Sequence, residues 1–426
     1  MTVSKSIFNL ILLALIIFSL ITSCSSGNGG GSDSKGGGKA LPNSITRDSV
    51  SSIGSEGNDN SRCASINYDG RYVSFFSWSD NLIDNDTNSS ADVFVRDRLN
   101  NETTRISVDS NGVQGNGGSL CSAISGDGRY AAFISSASNL VSNDSNSYDD
   151  VFIHDMQTGQ TKRISVDSSG NQGNGDTDEG VSINNDGRYV AFDSTSNNLV
   201  ANDTNNRTDI FVHDSLTGET TRVSVDSNGA EGNSGSYNPS ISGNGRYVAF
   251  ASLSSNLVLN DTNDSYDVFV HDLQTGETRR VSVDSYGTEG NSSSDRPSIS
   301  YDGQYITFHS IASNFVAGDT NNYYDVFVHD TQTGETVRVS VDANGQEMNN
   351  DSELPSISDD GRYISYQNGI ELYVYDQQSA KTFSTYLDPW FPKLSGNGNY
   401  ITFSTGAFLV PDDKNNMDDI YTMPLK

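Results

Sequence analysis

One turn motif recurs along the chain at a nearly fixed interval, and that interval limits the possible folds more than any other feature. An Asp-Gly or Asn-Gly step, followed by a polar residue and Tyr, begins at Asp69, Asp127, Asp186, Asn244, Asp302, Asp360 and Asn397. Successive starts lie 58, 59, 58, 58, 58 and 37 residues apart, which makes seven units with a shortened sixth. Repeats of this length are supersecondary units that bury their apolar faces only against their neighbours.

The unit around Asn244 reads as four short strands. Ser240-Ile241-Ser242 is followed by a tight turn at Gly243-Asn244-Gly245, and Arg246 to Phe250 forms the second strand. A polar loop leads to a third strand, Asp267 to Asp272. Thr275-Gly276-Glu277 turns the chain into a fourth, from Arg279 to Val283. No segment keeps a helical period. In the second strand Tyr247 and Ala249 share one face, and Val248 and Phe250 the other. A sheet with one wet face would alternate apolar with polar, so these blades are covered on both sides. The expectation is an all-β, seven-bladed β-propeller of four-stranded antiparallel blades over residues 44–426. A linear solenoid is the alternative. The ends favour a closed ring. The last unit stops at its third strand, Asp419 to Met423, and Ile45 to Val50 matches the fourth-strand pattern of Thr104 to Val108. An N-terminal strand is therefore expected to complete the last blade.

The recurring Ile-Ser-x-Asp-Gly-Arg-Tyr-Val-Ala-Phe and Asp-Val-Phe-Val-x-Asp-x-x-Thr-Gly-Glu segments resemble the TolB-like, WD40-related propeller repeat from about residue 45 onward. The family's usual Pro before Asp-Gly is replaced by Gly126, Asn185, Gly243, Tyr301 and Asp359. Propellers of this kind also occur in lyases and peptidases, so the resemblance implies a fold without an activity.

Residues 1–23 read as a signal segment. Lys5 precedes an apolar run from Ile7 to Ile21, and Ile21-Thr22-Ser23-Cys24 resembles a bacterial lipobox. That resemblance implies cleavage before Cys24 and lipidation of Cys24, with Ser25 favouring the outer membrane. An uncleaved anchor or an ordinary secretory signal is the alternative. Residues 24–43, rich in Ser, Gly and Asn, read as a flexible tether. The 55 acidic side chains outnumber the 25 basic ones for a net charge of -30, which excludes nucleic-acid binding through a basic face. The same charge keeps the body off an anionic membrane, leaving the lipid as its one membrane contact. With 20 Tyr and 18 Phe the chain is too aromatic for a disordered acidic tail.

The most regular polar motif falls between the second and third strands. It comprises Asp86, Asn88 and Asp92; Asp144, Asn146 and Asp150; Asp203, Asn205 and Asp209; Asp261, Asn263 and Asp267; Asp319, Asn321 and Asp325; and Asp413, Asn415 and Asp419. Oxygen ligands at the first, third and seventh places of a loop suit Ca²⁺ held weakly, at about 10⁻⁴–10⁻³ M. Asx turns and backbone capping explain the same residues without a metal. A second acidic loop, such as Val108 to Asn116, shares the same face of the disk. Arg105, Arg163, Arg222, Arg280 and Arg338 are expected to form surface pairs of little energy. His154, His213, His271 and His329 repeat at one strand position and read as structural, while His309 stands apart. Cys63 and Cys121, each six residues before a turn Asp, are placed to meet near the central channel, as a disulfide or as two thiols. Tyr386 to Pro392 breaks the repeat and is the candidate for a specialised contact.

No nucleophile elbow, P-loop, zinc signature or unique acid/base pair is present. The expected function is a monomeric, outer-membrane-anchored lipoprotein whose propeller binds an envelope protein or glycan without catalysis. A channel enzyme and a calcium-dependent adhesion module are the alternatives.

Overall fold

The computed structural model describes residues 44–177 and 180–425; the signal segment, the tether and Cys24 lie outside the described residues. Seven four-stranded antiparallel sheets follow one another. Blade one comprises Ser61–Ile66, Tyr72–Ser77, Asp92–Asp97 and Glu102–Arg105, paired in that order, and blades two to six repeat it. Blade seven takes three strands from the chain end, Trp390–Leu394, Tyr400–Thr405 and Asp419–Pro424. Its fourth is Thr46–Arg47, with Thr46 opposite Thr422 and Arg47 opposite Tyr421. The ring is closed by the N-terminal strand, as the matching half-units require.

Strand limits differ from expectation in two ways. The third strand of blade four runs over Asp267–Asp272 as read, but the fourth is only Thr278–Arg280. The chain has already turned by Val283, which pairs singly with Glu289 across its own loop. The first strand begins earlier, at Ser236, because a bulge between Tyr237 and Ser240 lets it pair along the whole second strand.

Stacked aromatics hold each blade together. Phe75 and Phe94 stack at 5.9 Å, as do Phe250 and Phe269, while Tyr366 and Tyr373 substitute at 5.4 Å in blade six. Each such pair adds about 0.5–1.5 kcal/mol beyond its burial. Between blades, Val93 and Val95 of one pack against Ala131 and Phe133 of the next.

The Asp-Gly end of the ring is sewn by main-chain bonds at the residue before each Asp-Gly or Asn-Gly step and the Asp or Asn that follows it. Tyr68 N–H donates to Gly126, Asp127 to Asn185, Asn185 to Gly243, Asn244 to Tyr301, Tyr301 to Asp359, Asp359 to Gly396, and Asn397 back to Tyr68. Pro has no N–H to give at Tyr68, Asn185, Tyr301 or Asp359. Asn185 Nδ2 also donates to Asp359 Oδ2 at 2.7 Å, from blade three to blade six across the channel. Glycine leaves room for this crossing: a Cβ on Gly126 would stand 2.5 Å from Asn185 Cγ, and one on Gly243 2.4 Å from the Tyr301 ring. The channel is thus bridged at this end.

Candidate functional site

The repeated carboxylates gather around an arginine in every blade that has the motif. In blade four Arg280 Nη1 lies 2.6 Å from Glu289, 3.1 Å from Asp267 and 3.6 Å from Asp261. Asp267 also accepts from Ser282 Oγ at 2.6 Å. Asn263 turns its amide inward, donating to Asp267 and to the Gly290 carbonyl, while its Oδ1 accepts from Ser265 N–H at 2.8 Å. Arg222 gathers Asp203, Asp209 and Glu231, with Asn205 in the same role. Arg338 gathers Asp319, Asp325 and Glu347, with Asn321. In blades one and two Gln114 and Gln172 replace the Glu, beside Arg105 with Asp86, Asn88 and Asp92, and Arg163 with Asp144, Asn146 and Asp150. In blade seven Arg47 of the N-terminal strand takes the role for Glu56, Asp413 and Asp419, with Asn415 bonded to the Gly57 carbonyl.

These arginines are not the exposed, weak pairs the sequence suggests. Their side chains are at most 10 % exposed, because the fourth strand lays them under the loop that follows it. Burial, with Asp209 beside it, pushes Asp203 up to about 6, and burial with Asp267 does the same to Asp261. In blades three, four, five and seven, three carboxylates lie close enough to share a cation. The guanidinium stands among them with the opposite charge. The Gln or Glu of the following loop, which precedes Gly in five units and Met348 in the other, was missed in the sequence, although its column (Glu56, Gln114, Gln172, Glu231, Glu289, Glu347) repeats there.

The four repeated histidines are buried, each with Nδ1 on a threonine hydroxyl, as His271 on Thr278 at 2.9 Å. His309 is buried opposite Asp295 and tilted against Tyr324; burial brings it down to about 4, and its Nδ1 has no hydrogen-bond partner.

The channel is where the repeat breaks. The place six residues before each turn carries Cys63, Cys121, Gly180, Asn238, Arg296, Leu354 and Phe391, and all seven line one cavity of about 260 Å³. Five of them sit at positive φ, Cys63 at 51°, Asn238 at 56°, Arg296 at 53°, Leu354 at 56° and Phe391 at 52°. Left-handed backbone is uncommon for such residues. Here it belongs to the bulge of the innermost strand, a device that re-aims side chains. The two sulfurs expected to meet do so, with Sγ atoms 3.0 Å apart and no bond between them. Of the Tyr386 to Pro392 segment, Phe391 and Pro392 reach the channel. Two residues further, Ser65, Ala123, Ser182, Ser240, Ser298 and Ser356 are small, but blade seven places Lys393 there. Farther along the innermost strands from the Asp-Gly turns, Asn238 Nδ2 donates to Asp295 at 2.9 Å, and Tyr237 packs edge-on to Tyr266.

No protein-family model and no curated protein matches the chain. Solved structures do. An oligogalacturonate lyase in complex with manganese aligns over 92 % of this chain and 99 % of its own, at TM-score 0.56 and 12 % identity. The oligogalacturonate lyase of Vibrio parahaemolyticus covers 87 % and 90 %, at 0.54 and 14 %. TolB from Acinetobacter baumannii covers 87 % and 65 % more loosely, at 0.41 and 14 %. At these identities the likeness is one of fold, and it is the two lyases, at TM-scores above 0.5, whose fold this seven-bladed chain shares.

Proposed function

We propose that this chain is an envelope lipoprotein whose propeller binds its ligand in the central channel and does no chemistry on it. The observation that carries this reading is the contrast between repeated and unrepeated polar groups. The repeated Asp, Asn and Arg residues are bonded to one another, and the repeated His residues to threonine hydroxyls of the neighbouring strand. The unlike side chains converge only in the channel, bridged at one end by Asn185 and Asp359. The two thiols face each other and the buried His309 is not among the channel-lining residues, which leaves the channel polar groups suited to holding a ligand. Lipidation of Cys24 in the outer membrane supplies the anchor, and an envelope protein or glycan is the kind of partner such an address offers.

Two variants test the reading. Cys24→Ser should release the chain from membranes; continued retention contradicts the lipid anchor. Ala123→Trp fills the channel from a wall position. Its melting temperature should stay near that of the parent while capture of an envelope component is lost. Unchanged capture places binding elsewhere, and turnover of a captured glycan or peptide overturns the non-catalytic reading.

A further inference from the structure

The channel reading leaves one feature unexplained: the charge inside it. A chain with 30 more negative than positive groups would be expected to line a central cavity with carboxylate. Its walls instead carry two cations, Arg296 from blade five and Lys393 from blade seven, and no Asp or Glu. Neither stands within salt-bridge distance of a carboxylate among the described residues, although the Arg296 charge acts on Glu353 from a distance, whereas Arg280 of the repeat touches three carboxylates. Lys393 keeps contact with solvent in the cavity, yet protein surrounds it. The surrounding protein, with the Arg296 charge beside it, lowers its ammonium, and the Cys63 and Cys121 side chains line the same cavity. Both cations are there by departure from the repeat. Lys393 occupies the place that is Ser or Ala in the other blades, and Arg296 sits at positive φ on a bulge that turns it inward. Two like charges held together in a confined cavity repel each other, a cost that an anion between them removes.

We infer that the channel is an oxyanion site, in which Lys393 and Arg296 clasp a carboxylate, sulfate or phosphate group of a small ligand beside the Cys63–Cys121 pair. This inference rests on the channel being the ligand site and names the chemistry of what enters it. The acidic exterior acts as a filter: anions are repelled at long range, so only one with a second means of recognition, or one presented by a partner, profits from the cationic floor.

The thiols report on their own surroundings. Iodoacetate and iodoacetamide both alkylate a thiolate, forming a sulfur–carbon bond as iodide leaves, but only the first is an anion. In the full chain carrying Cys24→Ser, with thiols reduced, the rate ratio of iodoacetate to iodoacetamide at Cys63 and Cys121 should be about tenfold above that of the same chain unfolded in denaturant at equal ionic strength. Lys393→Gln and Arg296→Gln should each bring the ratio back toward the unfolded value while the circular-dichroism melt is preserved. Millimolar inorganic sulfate, inorganic phosphate and acetate, added separately, should slow alkylation, and the most protective of them identifies the oxyanion. A ratio at or below the unfolded value, or no protection by any of the three, overturns the inference. If that happens while Ala123→Trp still abolishes capture, the channel remains the binding site and its ligand is not an anion.

Discussion

Replacing Arg47 tests whether the carboxylate loops are held by arginine and whether the N-terminal strand closes the ring. Arg47 is 3 % exposed in its side chain and faces Asp419 at 0 %, Asp413 at 3 % and Glu56 at 20 %. Arg47→Ala leaves these carboxylates facing one another without a cation. Removing one partner of a buried ion pair costs about 3–5 kcal/mol. The ordered chain of about 380 residues unfolds with an entropy of about 0.8 kcal/mol/K, from about 2.1 cal/mol/K per residue. The melting temperature should therefore fall by about 4–6 °C in a calorimetric scan. The matched control is Arg279→Ala: Arg279 is 47 % exposed and 3.9 Å from Glu277, so its loss should shift the melt by less than about 1 °C. A change below about 1 °C for Arg47→Ala as well would refute the reasoning, since the guanidinium would then contribute nothing to the blade.

Three other outcomes follow from the same geometry. Calcium up to millimolar concentration should leave the melting temperature of the parent chain unchanged but raise that of Arg280→Ala, where the vacated place among Asp261, Asp267 and Glu289 admits a cation; a rise in the parent shows calcium competing with the arginine. Acid should destabilise the ring as the outer Arg–Asp pairs are lost: Arg129, bonded to Asp155 at 2.7 Å, lowers that carboxyl to about 2. Its native value is depressed, so its contribution is complete above about pH 4, the unfolded value, and vanishes as pH falls through about 2. Arg71 with Asp97 and Arg362 with Asp376 act in the same direction, and a melting temperature flat from pH 4 to 2 would contradict this. Tyr301→Pro deletes one N–H of the main-chain circle and should cost about 1–3 kcal/mol, whereas Tyr301→Phe should change the melt little; equal melts mean the circle is not under load.

The architecture was legible because each blade repeats the same local chemistry. Asp-Gly turns, apolar strands such as Asp267–Asp272 and the complementary chain ends recur in register, and closure needed only a count of strands. The meeting of Cys63 and Cys121 was legible for the same reason, since equal places in adjacent units are neighbours. What escaped were effects of one blade on another. The arginines read as exposed because their burial comes from the following loop. The residues before each Asp-Gly showed no common type in the sequence, although the N–H groups of Tyr68, Asn185, Tyr301 and Asp359 help to stitch the ring. Lys393 was hidden by a different cause: its unit is the irregular one after the shortened blade. Aligned on the turn at Asn397, it stands in a column of serines and one alanine, and that contrast was available in the sequence.

Everything assigned to the channel depends on the two chain ends sharing one sheet, and a designed cross-link reads this directly. In a background of Cys24→Ser, Cys63→Ser and Cys121→Ser, the pair Thr46→Cys and Thr422→Cys stands directly opposite across the closing strand pair. Mild oxidation of dilute protein should join residues 46 and 422 within one chain, seen as a single linked peptide after digestion. Failure to link, or links formed only between chains, would contradict the closed ring and the channel with it.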